Sequence, residues 1–297
     1  MKPAPFEYLA PDSLDAALDI LAHRGGEAKL LAGGQSLIPV MNFRLAQPSL
    51  LVDLNRLRDL DYMKEDEGGG LRIGAMTRQR RLERDPLVPR LAPLLREAVP
   101  FIAHPQIRNR GTVGGSLAHA DPAAELPAVA VALDARFRLQ SARGERWVEA
   151  REFFAGLFTT TLEPDEMLVE VALPPPPPNT GWAFLEVARR HGDYAQVGIA
   201  ARVTLDEGGR CREARLVYLS VGDGPVEARE AARMLAGTDL SDEAIAAASD
   251  KASRDEMDPT GDIHASADFK RHLARVLTGR ALRRAGARAQ APGRGKE

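Results

Sequence analysis

The sequence predicts an α+β protein built in two parts. Three observations carry this. An early strand–glycine–helix–strand run spans Ala28 to Leu54. Five successive prolines, Pro174 to Pro178, form a stiff extended connector that neither a helix nor a central strand accommodates. Beyond them come three strand-like segments and then three helix-like ones. The length, 297 residues, suits two domains or one large one.

Before the prolines, Asp12-Ser13 is a helix cap ahead of Leu14, Leu18 and Leu21, and Gly25-Gly26 ends that helix. Ala28 to Ala32 reads as a short buried strand. Ser36 to Leu45 reads as a helix with Pro39 in its first turn, and Ser49 to Leu54 as a second strand. This βαβ-like unit puts Gly33-Gly34 at the carboxyl end of a strand, where open α/β folds bind ligands. Leu71 to Ala75 is a strand, Thr77 caps the next helix, and Val88 to Val99 is helical around Pro93. Leu126 to Leu133 is an apolar helix. Ala135 to Gln140 and Trp147 to Ala150 form a hairpin around Arg143-Gly144, and Met167 to Leu173 is a strand. After the prolines, Trp182 to Ala188, Val197 to Leu205 and Ala214 to Val221 are strands, with a turn at Asp206-Glu207-Gly208-Gly209. Pro225 to Ala236, Ser241 to Ala252 and Ser266 to Ala285 are helices, and the chain after Arg283 is expected to fray.

Composition narrows the function. A net charge of −2 gives no global field for nucleic acid, and the basic run Arg280-Ala281-Leu282-Arg283-Arg284, without interleaved aromatics, reads as a solvated helix end. One cysteine, Cys211, excludes an internal disulfide and an iron–sulfur cluster held by this chain alone. No apolar run approaches the roughly 20 residues of a membrane span, and the start lacks a signal peptide's apolar core, so a soluble cytoplasmic protein is expected.

Two glycine pairs carry the chemistry. The first is Leu31-Ala32-Gly33-Gly34-Gln35-Ser36; the second is Arg108-Asn109-Arg110-Gly111-Thr112-Val113-Gly114-Gly115-Ser116. Without a Cβ, glycine lets backbone N–H groups approach a phosphate closely, so two such loops predict a grip on one pyrophosphate from both sides. No G-x-G-x-x-G fingerprint follows a strand.

Ala32 to Pro39 resembles the first flavin motif of the medium, FAD-binding subunit of molybdenum hydroxylases, the group of bacterial carbon monoxide dehydrogenases and xanthine dehydrogenases. Gly111 to Pro122 resembles the second motif, and Arg189-Arg190-His191-Gly192-Asp193-Tyr194-Ala195 a third. Order and spacing match from about Phe6 to Ala285. The resemblance implies a flavin domain of the vanillyl-alcohol-oxidase type over 1–176, in two α/β subdomains of about 1–55 and 56–176. A three-stranded antiparallel sheet with a helix bundle follows over 179–286, and 287–297 is a flexible tail. FAD, bound noncovalently, would lie extended between the parts.

The resemblance also assigns residues. Leu31, Ala32, Gly33, Gly34, Gln35, Ser36, Leu37 and Ile38 would line one side of the cofactor, with N–H groups, the Ser36 hydroxyl and the following helix dipole toward the pyrophosphate. Ala103, Gly111, Thr112, Gly114, Gly115 and Ser116 would line the other. Thr112 and Ser116 would donate to phosphate or ribityl oxygens; related chains often carry Asp or Asn at position 116. Asp121 and Glu125 would accept from sugar hydroxyls or serve as helix N-terminal carboxylates. His119 would be a pocket wall, Leu168 would sit against the ring system, Asp193 would orient its turn, and Tyr194 would approach the isoalloxazine. His104 reads as structural rather than as a covalent flavin link.

By the same resemblance, the flavin carries the chemistry, and the chain itself needs neither cysteines nor an acid–base dyad. A large partner subunit would hold molybdenum–pterin and a small one two [2Fe-2S] clusters, in a dimer of heterotrimers; the flavin would pass electrons to NAD⁺, a quinone or another acceptor. Two other readings stay open. A stand-alone flavin oxidoreductase would need its own substrate pocket, and an assembly subunit that has lost FAD would not need intact glycine loops.

Overall fold

The computed structural model describes residues 2–291. In chain order the first part comprises β1 (Glu7–Leu9), α1 (Leu14–Arg24), β2 (Ala28–Leu31), α2 (Leu37–Asn42), β3 (Leu50–Asp53), β4 (Met63–Glu65), β5 (Leu71–Gly74), α3 (Gln79–Leu82), α4 (Leu87–Leu91) and α5 (Pro93–Ala98). Then come α6 (Pro105–Arg108), α7 (Val113–His119), α8 (Glu125–Ala132), β6 (Arg136–Ser141), β7 (Gly144–Glu149), α9 (Ala150–Phe153), β8 (Phe154–Gly156), β9 (Thr159–Thr160) and β10 (Met167–Leu173). The second part comprises β11 (Thr180–Ala188), β12 (Ala195–Leu205), β13 (Cys211–Leu219), β14 (Val226–Glu227), α10 (Arg229–Met234), α11 (Asp242–Asp255) and α12 (Ala267–Gln290).

β1, β3 and β2 form a small parallel sheet in that order, with Leu31 opposite Asp53 at the carboxyl end. α1 covers it with Ala17, Leu18 and Leu21 against Leu50 and Val52, and the Ser13 hydroxyl accepts the Ala16 N–H at the helix start. A five-stranded sheet ordered β4-β5-β10-β6-β7 follows, with β10 antiparallel to both β5 and β6. Its core packs Leu71, Ile73, Phe137 and Leu139 against the short helices α4, α5 and α8.

The prolines leave β10 at Leu173, turn at Pro178-Asn179, where Asn179 takes φ +53°, and feed a third sheet ordered β11-β12-β13-β14. Strand alternation divides this sheet between two cores. Ala183, Val197, Ile199, Ala201, Leu216 and Tyr218 face α10, α11 and α12, whereas Phe184, Ala200, Val217 and Leu219 face the first part. Phe184 packs its ring 5.3 Å from that of Phe101. The two parts are therefore joined by apolar burial and not only by the connector. Where the cores meet, the Asp134 carboxylate takes guanidinium bonds from Arg151 at 2.6 Å, Arg202 at 2.7 Å and Arg215 at 3.2 Å.

Several sequence expectations are corrected. Thr77 does not cap α3: its hydroxyl donates to the Tyr62 carbonyl at 2.9 Å, and Arg78 stands at the cap position. The helix expected over Val88 to Val99 is broken at Ala92, because Pro93 forces a new start. The helix expected over Ser36 to Leu45 stops at Asn42. The C-terminal sheet has four strands, since two-residue β14 pairs with β13. Up to Gln290 the chain after Arg283 is helical, so the tail expected from 287 starts as helix: α12 runs to Gln290 with Ala285, Gly286 and Ala289 buried. Arg280, Arg283 and Arg284 are exposed, as expected of a solvated face, but the run lies within the helix and not at its end; Arg284 and Arg288 both reach Glu97, and Arg288 also donates to the Trp182 carbonyl at 2.6 Å. The remainder of the expected tail, 292–297, lies outside the described residues.

Candidate functional site

The first glycine loop leaves the edge strand β2 and enters α2. Gly34 sits at φ +72°, a conformation that disfavours any side chain, at the turn between β2 and α2. Among the described residues, the N–H groups of Gly33, Gly34, Gln35, Ser36 and Leu37 have no hydrogen-bond partner in the protein. The Gln35 amide donates to the Gly33 carbonyl at 3.0 Å, and the Ser36 hydroxyl makes no capping bond. Five consecutive amides without acceptors form a cradle suited to a polyanion. α2 has only six residues, so its dipole adds little and the amides themselves dominate.

The second loop is built differently. Its amides are bonded within the protein: Gly111 to Ile107 O, Val113 to Thr77 O, Gly114 to Ala75 O and Ser116 to Thr112 O. The Thr112 hydroxyl accepts the Gly115 N–H at 3.1 Å and so caps α7. The backbone amides of the second glycine pair, expected to approach a phosphate, are thus satisfied within the protein. The second loop offers close packing, the Ser116 side chain and the hydrogen of the Thr112 hydroxyl, whereas most free amides lie in the first.

The loops interlock. A Cβ on Gly33 would stand 2.7 Å from the Gly111 Cα, and one on Gly115 would stand 2.7 Å from Thr112 Oγ1 and 3.3 Å from the Ala32 Cβ. Polar side chains stitch the seam. Arg78 donates to the Arg110 carbonyl and, at 2.6 Å, to Asn55 Oδ1; Asn55 donates to the Ala32 carbonyl at 3.0 Å. Burial and then the neighbouring Arg110 charge lower the Arg78 pKa, as expected where cations gather beside an anion site. Partial burial opposes ionisation of Asp53, but hydrogen bonds from Tyr8 and Asn55 and the Arg110 charge outweigh it and hold its pKa low. Arg78, Arg110 and Asn55 were not identified from sequence. Arg110 lay inside the second motif, and Asn55 follows a strand end, the place where α/β ligand sites form.

The remaining expected residues divide. Ala120, at φ +52°, ends α7 and turns the chain to Asp121, whose carboxylate accepts the Ala123 N–H at 2.9 Å. The Pro122 carbonyl accepts the Ser220 N–H at 2.8 Å, which brings this segment to the end of β13. The Ser220 hydroxyl donates to the Ala195 carbonyl at 2.7 Å, which places the third motif beside the second; Tyr194 is 73% exposed, and partial burial, Asp121 and Glu125 raise its pKa. His119 packs its ring 5.1 Å from Phe158, and burial lowers its pKa. Ala103, at φ +41°, lies at a bend two residues before α6, and Asp193 closes its own turn through an N–H to the Arg190 carbonyl. Two residues are buried. Glu125 stands at the start of α8, an N-terminal carboxylate of that helix, and burial pushes its carboxyl up to about 7. Leu168 is 5% exposed within the core beneath the five-stranded sheet. Glu186 on β11, which sequence reading missed, is pushed up to about 8 by burial and by Glu125, and its Oε2 has no partner.

The profile of the family described as FAD binding domain in molybdopterin dehydrogenase matches residues 4–176, which contain both glycine loops. The chain belongs to this family. Residues 182–285 match the CO dehydrogenase flavoprotein C-terminal domain. The chain of this FAD-binding family is 45% identical over 285 residues, 96% of each chain, to the 6-hydroxypseudooxynicotine dehydrogenase complex subunit alpha of Paenarthrobacter nicotinovorans. It superposes with a TM-score of 0.93 and 40% identity on a chain of carbon monoxide dehydrogenase from Hydrogenophaga pseudoflava, covering 97% of this chain and 99% of that one. Against quinoline 2-oxidoreductase from Pseudomonas putida the TM-score is 0.92 at 39% identity, with 97% and 99% covered.

Proposed function

We propose that this chain is the FAD-binding, electron-transferring subunit of a heteromeric molybdenum hydroxylase. The observation that carries the reading is the row of five acceptorless amides from Gly33 to Leu37, closed on one side by Gly111 and flanked by Arg78 and Arg110. That donor set fits a pyrophosphate: it is anion-selective and lies on a short turn that a Cβ at Gly33 would block.

In this reading Gly33, Gly34, Gln35, Ser36 and Leu37 hold the phosphates through the backbone, and the Ser36 and Ser116 hydroxyls add donors. Leu31, Ala32 and Ile38 support the first loop; Gly111, Thr112, Gly114 and Gly115 let the second approach it. Arg78 and Arg110 balance the phosphate charge. Tyr194, on the turn Arg189–Ala195, covers one face of the ring and limits water and acceptor access, while Asp121 and His119 border the cofactor between the two parts. When bound, the flavin supplies redox chemistry, taking up two electrons and releasing them to an external acceptor.

The boundary fits best at the prolines, giving a flavin domain over 1–176 with subdomains 1–55 and 56–176, and a C-terminal domain from 179 through the end of α12. The partners fitting this role are a large molybdenum–pterin subunit and a small [2Fe-2S] subunit in a dimer of heterotrimers, assembled in the cytoplasm. The name of the Paenarthrobacter relative, dehydrogenase complex subunit alpha, supports an assembly of this kind.

The test is to co-express the chain with its neighbouring genes, purify the assembly and precipitate it with acid. One FAD per copy of this chain should appear in the supernatant, with molybdenum and iron in the other subunits. Yellow colour retained in the pellet would refute noncovalent binding. Hydroxylation by this chain alone, without molybdenum and iron, would overturn the subunit assignment.

A further inference from the structure

The second glycine loop and the Tyr194 turn are mechanically joined, and the joint lies outside both motifs' phosphate contacts. The Arg108 side chain is 5% exposed and paired with Glu83 at 2.8 Å. Its Nη1 donates to the carbonyls of Ile102 at 2.6 Å and Ala103 at 2.9 Å. Those bonds fix a bend in which Ala103 takes φ +41°, a conformation an alanine holds only when its surroundings enforce it. The next residue, His104, stands at the cap position of α6 with its imidazole directed across to the C-terminal part. There the ring lies on Gly192: a Cβ on Gly192 would come within 2.6 Å of His104 Nδ1 and 3.0 Å of Nε2. Gly192 itself sits at φ +88°, two residues before Tyr194; among the described residues its turn is also closed by the Asp193 N–H to the Arg190 carbonyl, with Arg189 Nη1 3.0 Å from His264 Nδ1 and the Ser220 hydroxyl donating to the Ala195 carbonyl at 2.7 Å. The His191 ring stands 6.4 Å from that of His104.

We infer that His104 and Arg108 are positioning residues for Tyr194: Arg108 clamps the Ile102–Ala103 bend, the bend presents the His104 ring, and the ring seats the Gly192 turn that carries Tyr194. The inference rests on the reading of Tyr194 as the ring-side residue of the flavin. It assigns His104 a steric role with no proton transfer, because the contact is a ring face against a glycine backbone. The outward side of His104 is exposed, so removing the ring leaves no cavity and the fold survives. Arg108 is buried, so its substitution alone cannot separate positioning from folding.

The experiment compares wild type, His104→Ala, His104→Phe and Arg108→Lys as full chains, by hydrogen–deuterium exchange of the peptide spanning 189–195 without cofactor. The same variants are then measured in the assembled complex for FAD content and reoxidation by oxygen. His104→Ala should speed exchange in that peptide about tenfold, a loosening of about 1.4 kcal/mol, while core strands such as β12 stay protected. Its FAD content should remain full and its reoxidation rate should change. His104→Phe should restore both, since it returns a planar ring without titratable nitrogens. Arg108→Lys, which keeps the charge and loses the fork, should loosen 189–195 as His104→Ala does. Unchanged exchange in His104→Ala overturns the inference, as does failure of His104→Phe to restore it. A wild-type complex without flavin overturns the underlying site reading as well; a flavin-loaded wild type with an indifferent His104→Ala overturns only the positioning role.

Discussion

A Cβ on Gly33 would stand 2.7 Å from the Cα of Gly111, although 77 residues of chain separate the two loops. The contact is backbone to backbone, so neither side can yield by rotating a side chain. Gly33→Ala should therefore spread the loops and weaken FAD binding by about a hundredfold or more, near 3 kcal/mol, with little change in far-ultraviolet circular dichroism. Gly115→Val should act similarly by displacing the Thr112 hydroxyl that caps α7. Titration of flavin-stripped protein with FAD measures this; unaltered affinity in both variants would make the loops simple turns.

Tyr194 lies on an exposed turn outside the Gly33–Leu37 row of free amides. Tyr194→Ala should leave FAD content nearly full and raise the rate at which oxygen reoxidises the reduced complex by about threefold, because one ring face loses its aromatic cover. If flavin is lost and the rate per flavin is unchanged, Tyr194 is a binding residue instead.

Asp134 gathers Arg151, Arg202 and Arg215 where the two cores meet, and the Arg202 side chain is only 8% exposed. Asp134→Asn keeps the side-chain shape and tolerates the left-handed backbone at this position (φ +52°), but it leaves three guanidinium groups facing a neutral amide. A loss on the order of 2 kcal/mol is expected from the uncompensated buried charge, read as a lower urea midpoint. A midpoint equal to wild type would mean that Glu213 compensates Arg202 fully.

Burial holds the Glu186 carboxyl protonated up to about 8 and that of Glu125 up to about 7, against an ordinary 4.5. Between the ordinary and the raised values the folded protein keeps protons that the unfolded chain has released, so stability falls as pH rises through that window. Glu186→Gln should match wild type in melting temperature near pH 4.5, exceed it increasingly up to about pH 8, and keep a constant advantage above that. Parallel melting curves across the range would show that Glu186 ionises normally.

Much of the local structure was legible in the sequence because it depends on near neighbours. The strands at Ala28, Leu71 and Met167 begin at those residues, and Ser13 caps α1 with its own hydroxyl. Elements lacking local signal escaped: β1 and β4 have three residues each and exist through their partners, and α7 is a glycine-bearing helix held by Ala75 and Thr77. Arg280 to Arg284 read as a helix end because nothing in the sequence reveals that Glu97 lies across from Arg284.

The candidate site divides the same way. The sequence by itself determined the strand-end position of the first glycine pair, the spacing of the three motifs and the absence of a cluster-forming set of cysteines, since these depend on residue type and order along the chain. Only the tertiary structure decided which loop keeps its amides free, since a hydrogen bond such as Gly114 to Ala75 spans 39 residues. It likewise placed Arg78 and Asn55 at the seam and His104 on Gly192, and withdrew Glu125 and Leu168 into the interior. The physical reason is that residue type fixes what a group can donate, accept or exclude, whereas satisfaction and burial depend on which distant segments pack against it.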